Sequence, residues 1–127
     1  TVAMLDINKF KQINDQHGHI VGDSALKLFA GVVKNQIRED DLLGRYGGDE
    51  FIVVFDNATT ATAQKVIDRM IESFQNIVLK AGGVDVALSF SVGLSTLKDE
   101  ATSEALLQKA DQLMYAMKKK LAYDLPT

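Results

Sequence analysis

An α+β fold, one mostly antiparallel sheet covered by helices on one face, is what the sequence predicts. Three observations carry that expectation. Apolar runs of strand length and of helix length follow one another in the order strand, helix, hairpin, helix, strand, helix. The runs on either side of Gly47 and Gly48 are close enough to pair across a tight turn, which makes them antiparallel. The stretch "VDVALSFSVGLST" alternates apolar and polar residues, as a half-buried antiparallel strand does.

The elements follow in order. "VAMLD", Val2 to Asp6, is a short apolar run ending in an acid, a buried strand by its length. "INKFKQINDQHGHIVGD" reads as a loop or irregular helix. From Ser24 to Arg38, residues Leu26, Phe29, Ala30, Val33 and Ile37 keep helical spacing, with Asp23 or Ser24 available as the cap. The hairpin comes next, Leu42, Leu43 and Tyr46 on one arm and Phe51 to Phe55 on the other. A second helix is expected from about Thr60 to Leu79, with Val66, Ile67, Met70, Ile71, Phe74 and Val78 on one face, punctuated by Gly82 and Gly83. The alternating strand follows, and its Gly93 marks a bulge or bend. A third helix starts near Thr102 or Ser103 and carries Leu106, Leu107, Ala110, Leu113, Met114 and Met117. The order gives a β-α-β-β-α-β core in which the first strand lies beside the hairpin.

The chain of 127 residues is long enough for one domain with a single core. Its net charge of −3 shows no basic excess of the kind that marks a nucleic-acid binder. There is no cysteine, so disulfides, thiol nucleophiles and cysteine metal sites are excluded, in keeping with a reducing compartment. No apolar run approaches membrane-spanning length. "TVAMLD" already reads as a strand at the first residues, which suggests a fragment whose upstream part is missing.

The chemistry concentrates in "GRYGGDEFIVVF", Gly44 to Phe55. A turn needs glycine for φ > 0, but it does not need Asp49 and Glu50 side by side at the mouth of an apolar strand. Adjacent carboxylates beside a buried run are costly unless something positive meets them. The topology brings Asp6 to the same place. Mg²⁺ and Mn²⁺ take oxygen ligands, one or two carboxylates plus substrate phosphates. Asp6, Asp49 and the Ile7 carbonyl would supply such a set. Gly47 and Gly48 would let a triphosphate approach the backbone, and Lys11 and the run Lys118 to Lys120 would meet its charge. Taken singly, each feature has an ordinary explanation: a strand-end acid, a turn, a solvated helix end. Together they point to a metal and nucleotide site.

At this point the chain resembles the GGDEF domains, the diguanylate cyclases. "RYGGDEF" matches the signature. "DINKFKQINDQHGHIVGD", Asp6 to Asp23, is similar to the family's D-x-D-x-F-K-x-x-N-D-x-x-G-H-x-x-G-D stretch. "SFSVGLS" and "ALLQKADQLMYAMK" are similar to its later strand and helix. The resemblance spans nearly the whole chain. It implies a palm-like, ferredoxin-like nucleotidyl cyclase core in a single domain over residues 1–127, lacking the helix that precedes the first strand. It implies condensation of two GTP into cyclic di-GMP at a site shared by two domains, hence a homodimer. Asp6, Ile7, Asp49 and Glu50 would hold Mg²⁺ or Mn²⁺, with Asp49, Glu50 and Lys11 catalytic. Phe10, Lys11, Asn14, Asp23, Gly47, Gly48 and Lys118 would bind substrate, Asn14 and Asp23 at guanine. Arg38, Asp41 and Arg69 would bind product and inhibit. Cytoplasmic placement follows from the need for GTP, whatever anchors the parent protein; neither nucleic acid nor membrane contact is expected of the domain.

The sequence departs from the pattern in the second acid of D-x-D, which is Asn8, and at Ala122, where a phosphate-binding Arg is expected. Lys119 or Lys120 would have to compensate. These departures keep open a degenerate domain that binds GTP or cyclic di-GMP without turnover. A bare scaffold with no nucleotide role is the third reading, and it predicts no thermal shift with GTP and Mg²⁺.

Overall fold

Strand β1 (Val2–Ile7) is buried along its whole length, and the rest of the fold is arranged to bury it. Side chains alternate across a strand, so such a run needs cover on both faces. In the computed structural model, which describes residues 1–96 and 102–124, β1 is followed by α1 (Phe10–His17), α2 (His19–Gln36), β2 (Leu42–Arg45) and β3 (Glu50–Val54). Then come α3 (Thr60–Gln75), β4 (Val78–Ala81), β5 (Val84–Ala87), β6 (Phe90–Ser95) and α4 (Ser103–Asp124). The main sheet has the order β2-β3-β1-β6, and every neighbouring pair is antiparallel.

On one face Ala3, Leu5, Ile7, Phe51 and Val53 pack against α2 and α3. Phe29 is the centre of that layer, with ring centroids 5.0 Å from Phe51, 5.2 Å from Phe74 and 5.6 Å from Phe90. On the other face Val2 and Met4 pack against Leu106, Ala110 and Met114 of α4. The expected cover on one face is therefore a cover on both. The unbroken apolar run of β1 is the signature of a strand buried on both sides.

Helix α4 can lie this close because Gly93 has no side chain. A Cβ there would overlap the Ala110 carbonyl oxygen and sit 2.5 Å from the Met114 nitrogen. Gly93 marks no bulge: it stands in regular register opposite Met4.

Three other expectations change. Helix α2 begins at His19, not Ser24, because Gly18 at φ 89° turns the chain directly from α1 into α2. Asp23 and Ser24 therefore lie inside the helix and cap nothing. Helix α3 ends at Gln75, and Val78 and Leu79, read as its last turn, belong to β4. The alternating stretch is two strands, β5 and β6, parted at Leu88 and Ser89. Strands β4 and β5 form a separate hairpin. Its two-residue turn is Gly82 and Gly83, at φ 57° and 87°, the left-handed pair that such a turn demands. Helix α4 starts at Ser103 as expected, where the Thr102 hydroxyl accepts the Ala105 N–H. No helix among the described residues is long and apolar enough to cross a membrane.

Candidate active site

Register sets the site. Asp6 stands opposite Glu50 on β3 and Ser91 on β6, and all three fall on the α4 face of the sheet. The Ile7 N–H donates to the Asp49 carbonyl oxygen at 3.2 Å, which holds the β2–β3 turn against the end of β1. Lys118, on α4, donates from Nζ to Asp6 Oδ2 at 2.9 Å. The other Asp6 oxygen, Oδ1, is buried and has no partner.

The electrostatics are those of an acid cluster short of cations. Burial pushes the Asp6 carboxyl up to about 6, Lys118 opposes the shift, and the neighbouring Asp49 adds to it. Burial also raises Glu50, helped by Asp111 on α4 and by Asp49, with Lys118 again opposed. Among the described residues no group of three or more His, Asp and Glu is placed to hold a cation by itself. The donors that are present, carboxylates on Asp6 and Asp49 and the orphaned Oδ1, fit a hard divalent cation that completes its shell with outside oxygens.

The glycines behave differently from the turn expected of them. Neither Gly47 nor Gly48 has a left-handed backbone. A Cβ on Gly48 would meet nothing within 4 Å, and one on Gly47 would meet Glu50 at an ordinary 3.5 Å. Among the described residues, neither backbone strain nor packing requires glycine at either position. Arg45 steadies this turn, donating to the carbonyl oxygens of Gly47 at 3.2 Å and Gly48 at 2.6 Å. Sequence reasoning missed that role, although Arg45 is part of the quoted stretch.

Helices α1 and α2 double back at Gly18, which lays the Asn14 side chain over Gly22, the residue before Asp23. A Cβ at Gly22 would overlap Asn14 Oδ1. Asn14 thus lies against the residue next to Asp23, the other position expected at guanine. Phe10 and Lys11 open α1 just beyond the end of β1, Phe10 half-buried and Lys11 exposed. Among the described residues no hydrogen bond joins Lys11, Asn14 or Asp23 to the acid cluster. The side chains of Lys120 and Ala122 lie outside the described residues.

Arg38 and Asp41 meet at the start of β2. Asp41 accepts the backbone N–H of Arg38 and of Asp56, each at 2.9 Å, and its side chain is 2% exposed. Burial works against the ionised form, but those two N–H groups and the Arg38 guanidinium outweigh it and hold Asp41 below the usual carboxylate range. The Arg38 guanidinium also donates to the Asp56 carbonyl oxygen. A cavity of about 420 Å³ opens beside the pair, lined in part by Lys34, Ile37 and Leu42. Arg69, exposed on α3, has no hydrogen bond to either residue among the described residues.

The profile of the family described as "Diguanylate cyclase, GGDEF domain" matches residues 1–122. The chain belongs to the GGDEF domain family. The GGDEF domain of TpbB (YfiN) from Pseudomonas aeruginosa superposes with a TM-score of 0.88 at 37% identity, covering 94% of this chain and 75% of that one. The GGDEF domain of DgcB from Caulobacter crescentus, solved in complex with c-di-GMP, gives a TM-score of 0.86 at 27% identity, over 94% of this chain and 71% of that one. The diguanylate cyclase DosC of Escherichia coli is 36% identical over 94% of this chain, which spans only 26% of DosC. The palm-like α+β fold expected from the sequence is the fold of these GGDEF domains.

Proposed function

We propose that this GGDEF domain makes cyclic di-GMP from two molecules of GTP. The observation that carries the reading is the buried, unpartnered Asp6 Oδ1 beside Asp49 and Glu50, at the end of the strand facing the glycine turn. In the reaction the 3′-oxygen of one GTP bonds to the α-phosphorus of the other. The bond from that phosphorus to the bridging oxygen breaks and pyrophosphate leaves; the reciprocal attack by the second 3′-oxygen closes the ring and releases a second pyrophosphate.

The residues fall into roles by position. Asp6, the Ile7 carbonyl and Asp49 would hold Mg²⁺ or Mn²⁺, with Glu50 behind them. A cation held there would supply charge neutralisation of the phosphates and a lowered pKa for the attacking hydroxyl. Asp49 takes the proton from that hydroxyl. Gly47 and Gly48 leave room for the triphosphate, while Phe10 and Lys11 form the near wall. Lys118, which pairs with Asp6 here, would exchange that carboxylate for the phosphates of a bound nucleotide. Asn14 and Asp23 face guanine: a carboxylate accepts from N1–H and N2–H together, a donor pair that adenine lacks. One domain holds one GTP, so two copies must face each other.

Arg38 and Asp41, beside their cavity, are the proposed product site, with Arg69 on α3 as its third member. The c-di-GMP complex of the DgcB GGDEF domain supports a product-binding role for this family. A GTP substrate would support a cytoplasmic location for the domain.

The test is product formation from GTP and Mg²⁺, with cyclic di-GMP quantified by chromatography and the chain fused to a dimerising coiled coil. Asp49→Ala is the control. Product lost in the control supports the cyclase. No product from a confirmed dimer favours a binding module that works through Arg38 and Asp41.

A further inference from the structure

Asn8 is the residue that departs from the family's pair of acids, and both ends of its side-chain amide are hydrogen-bonded. Its Nδ2 donates to Ser89 Oγ at 3.0 Å, and its Oδ1 accepts from Ser91 Oγ at 2.7 Å. Its backbone N–H donates to the Ser89 carbonyl oxygen at 2.9 Å. Ser91 is fully buried and stands opposite Asp6 in the β1–β6 register. On the other side, the preceding peptide is tied to the turn by the Ile7 N–H bond to Asp49. The next residue, Lys9, is held at φ 57°, a left-handed conformation that a lysine keeps only where its surroundings fix it.

The Ile7–Asn8 segment is therefore gripped from both sides at the point where the chain leaves β1. We propose that Asn8, with Ser89 and Ser91, is a positioning clamp for the cation site: it fixes the Ile7 carbonyl and the Asp6 carboxylate without adding charge. The inference rests on the cation reading above. Partners that orient metal ligands commonly change metal affinity by tenfold or more when removed. A clamp of hydrogen bonds also makes a specific demand on chemistry. Position 8 needs an acceptor for Ser91 and a partner for Ser89. A carboxylate meets both, because the Ser89 hydroxyl can turn and donate. An alanine meets neither.

The experiment follows Mn²⁺ bound to the chain, with α,β-methylene GTP as the nucleotide, by enhancement of water-proton relaxation. Melting temperature is recorded in parallel without metal. Asn8→Ala and Ser91→Ala are expected to weaken Mn²⁺ binding by about tenfold. Ser89→Ala, which removes one bond at an exposed residue, should weaken it by a smaller factor and keeps the test open if a buried variant misfolds. Asn8→Asp should bind Mn²⁺ within about threefold of the wild type, or more tightly, because it keeps the clamp and adds a charge. Unchanged Mn²⁺ affinity in Asn8→Ala and Ser89→Ala, even with a lower melting temperature, overturns the inference and leaves the cation reading intact. Asn8→Asp as weak as Asn8→Ala overturns it too. No Mn²⁺ binding by the wild type overturns both.

Discussion

Asp6→Asn should make the metal-free domain more stable while ending the proposed turnover of GTP. The Asp6 carboxyl is raised from 3.8 to about 6 by burial, against the pull of Lys118. A raised carboxyl favours the folded state below the ordinary carboxylate pKa, and that stability is lost as pH climbs through the folded value. The window is therefore about pH 4 to 6. Between those limits the shift corresponds to about 3 kcal/mol at 1.36 kcal/mol for each unit. Screening on the open, turn-facing side brings the expected figure to about 1–3 kcal/mol. Glu50 moves in the same direction. Asp41, held low, loses its contribution only in more acid solution and does not overlap this window. Asparagine has the same shape and still accepts from Lys118, whose side chain is 37% exposed and stays hydrated. The assay is urea unfolding followed by circular dichroism, with EDTA present, at pH 4 and pH 8. Wild type should lose stability between the two, Asp6→Asn should lose much less, and the variant should lead by about 1–3 kcal/mol at pH 8. A variant less stable than wild type at pH 8 would refute the reasoning, because burial of an uncompensated charge would then not dominate the site.

Gly48→Ala should fold with stability within about 0.5 kcal/mol of wild type, since its Cβ meets open space, yet form product far more slowly; urea unfolding and chromatography of the same preparation decide it. Gly22→Ala should displace the flexible Asn14 amide at a cost near 1 kcal/mol and raise KM for GTP more than it lowers kcat, as loss of substrate binding does. Gly93→Ala should be the severe one, by about 3 kcal/mol or outright misfolding, because its Cβ would run into the backbone of α4; a melting temperature near wild type would contradict the packing described.

What the sequence showed and what it hid divide along a physical line. Helical faces such as Phe29 and Val33, or Ala110 and Met114, are legible because burial imposes a period on the residues themselves. The boundaries were hidden where a backbone angle decided them: Gly18 starts α2 early, and Gly82 with Gly83 turns the tail of an expected helix into a hairpin. Val78 and Leu79 fit either period, and only their pairing with Ala87 and Val86 chooses strand. In the site, Asp6 and Asp49 were legible because acids at apolar strand ends stand out. The grip of Asn8 on Ser89 and Ser91 was not, since its bonds cross more than eighty positions of chain and leave no local pattern. Asp111 acts on Glu50 for the same reason unseen: α4 is laid over the sheet by Gly93.

The Arg38 and Asp41 pair divides its labour, and variants should separate the two jobs. Asp41 is an acceptor for two backbone N–H groups in a buried corner, so it belongs to the fold first. Removing it leaves both donors unsatisfied, which costs about 1–3 kcal/mol for each such group. Arg38 is 63% exposed along its side chain, and its guanidinium reaches Asp41 only at 3.5 Å. Losing it should change stability by less than about 1 kcal/mol. Its Nη2 is engaged with the Asp56 carbonyl oxygen, and the remaining guanidinium N–H groups are the donors a phosphate entering the cavity would meet. If cyclic di-GMP inhibits here, Arg38→Ala relieves inhibition in a protein of normal melting temperature. Asp41→Ala relieves it only together with a large loss of stability, and Asp41→Asn falls between. Inhibition that survives Arg38→Ala places the product elsewhere, and leaves the pair as a corner brace between the end of α2 and the end of β3.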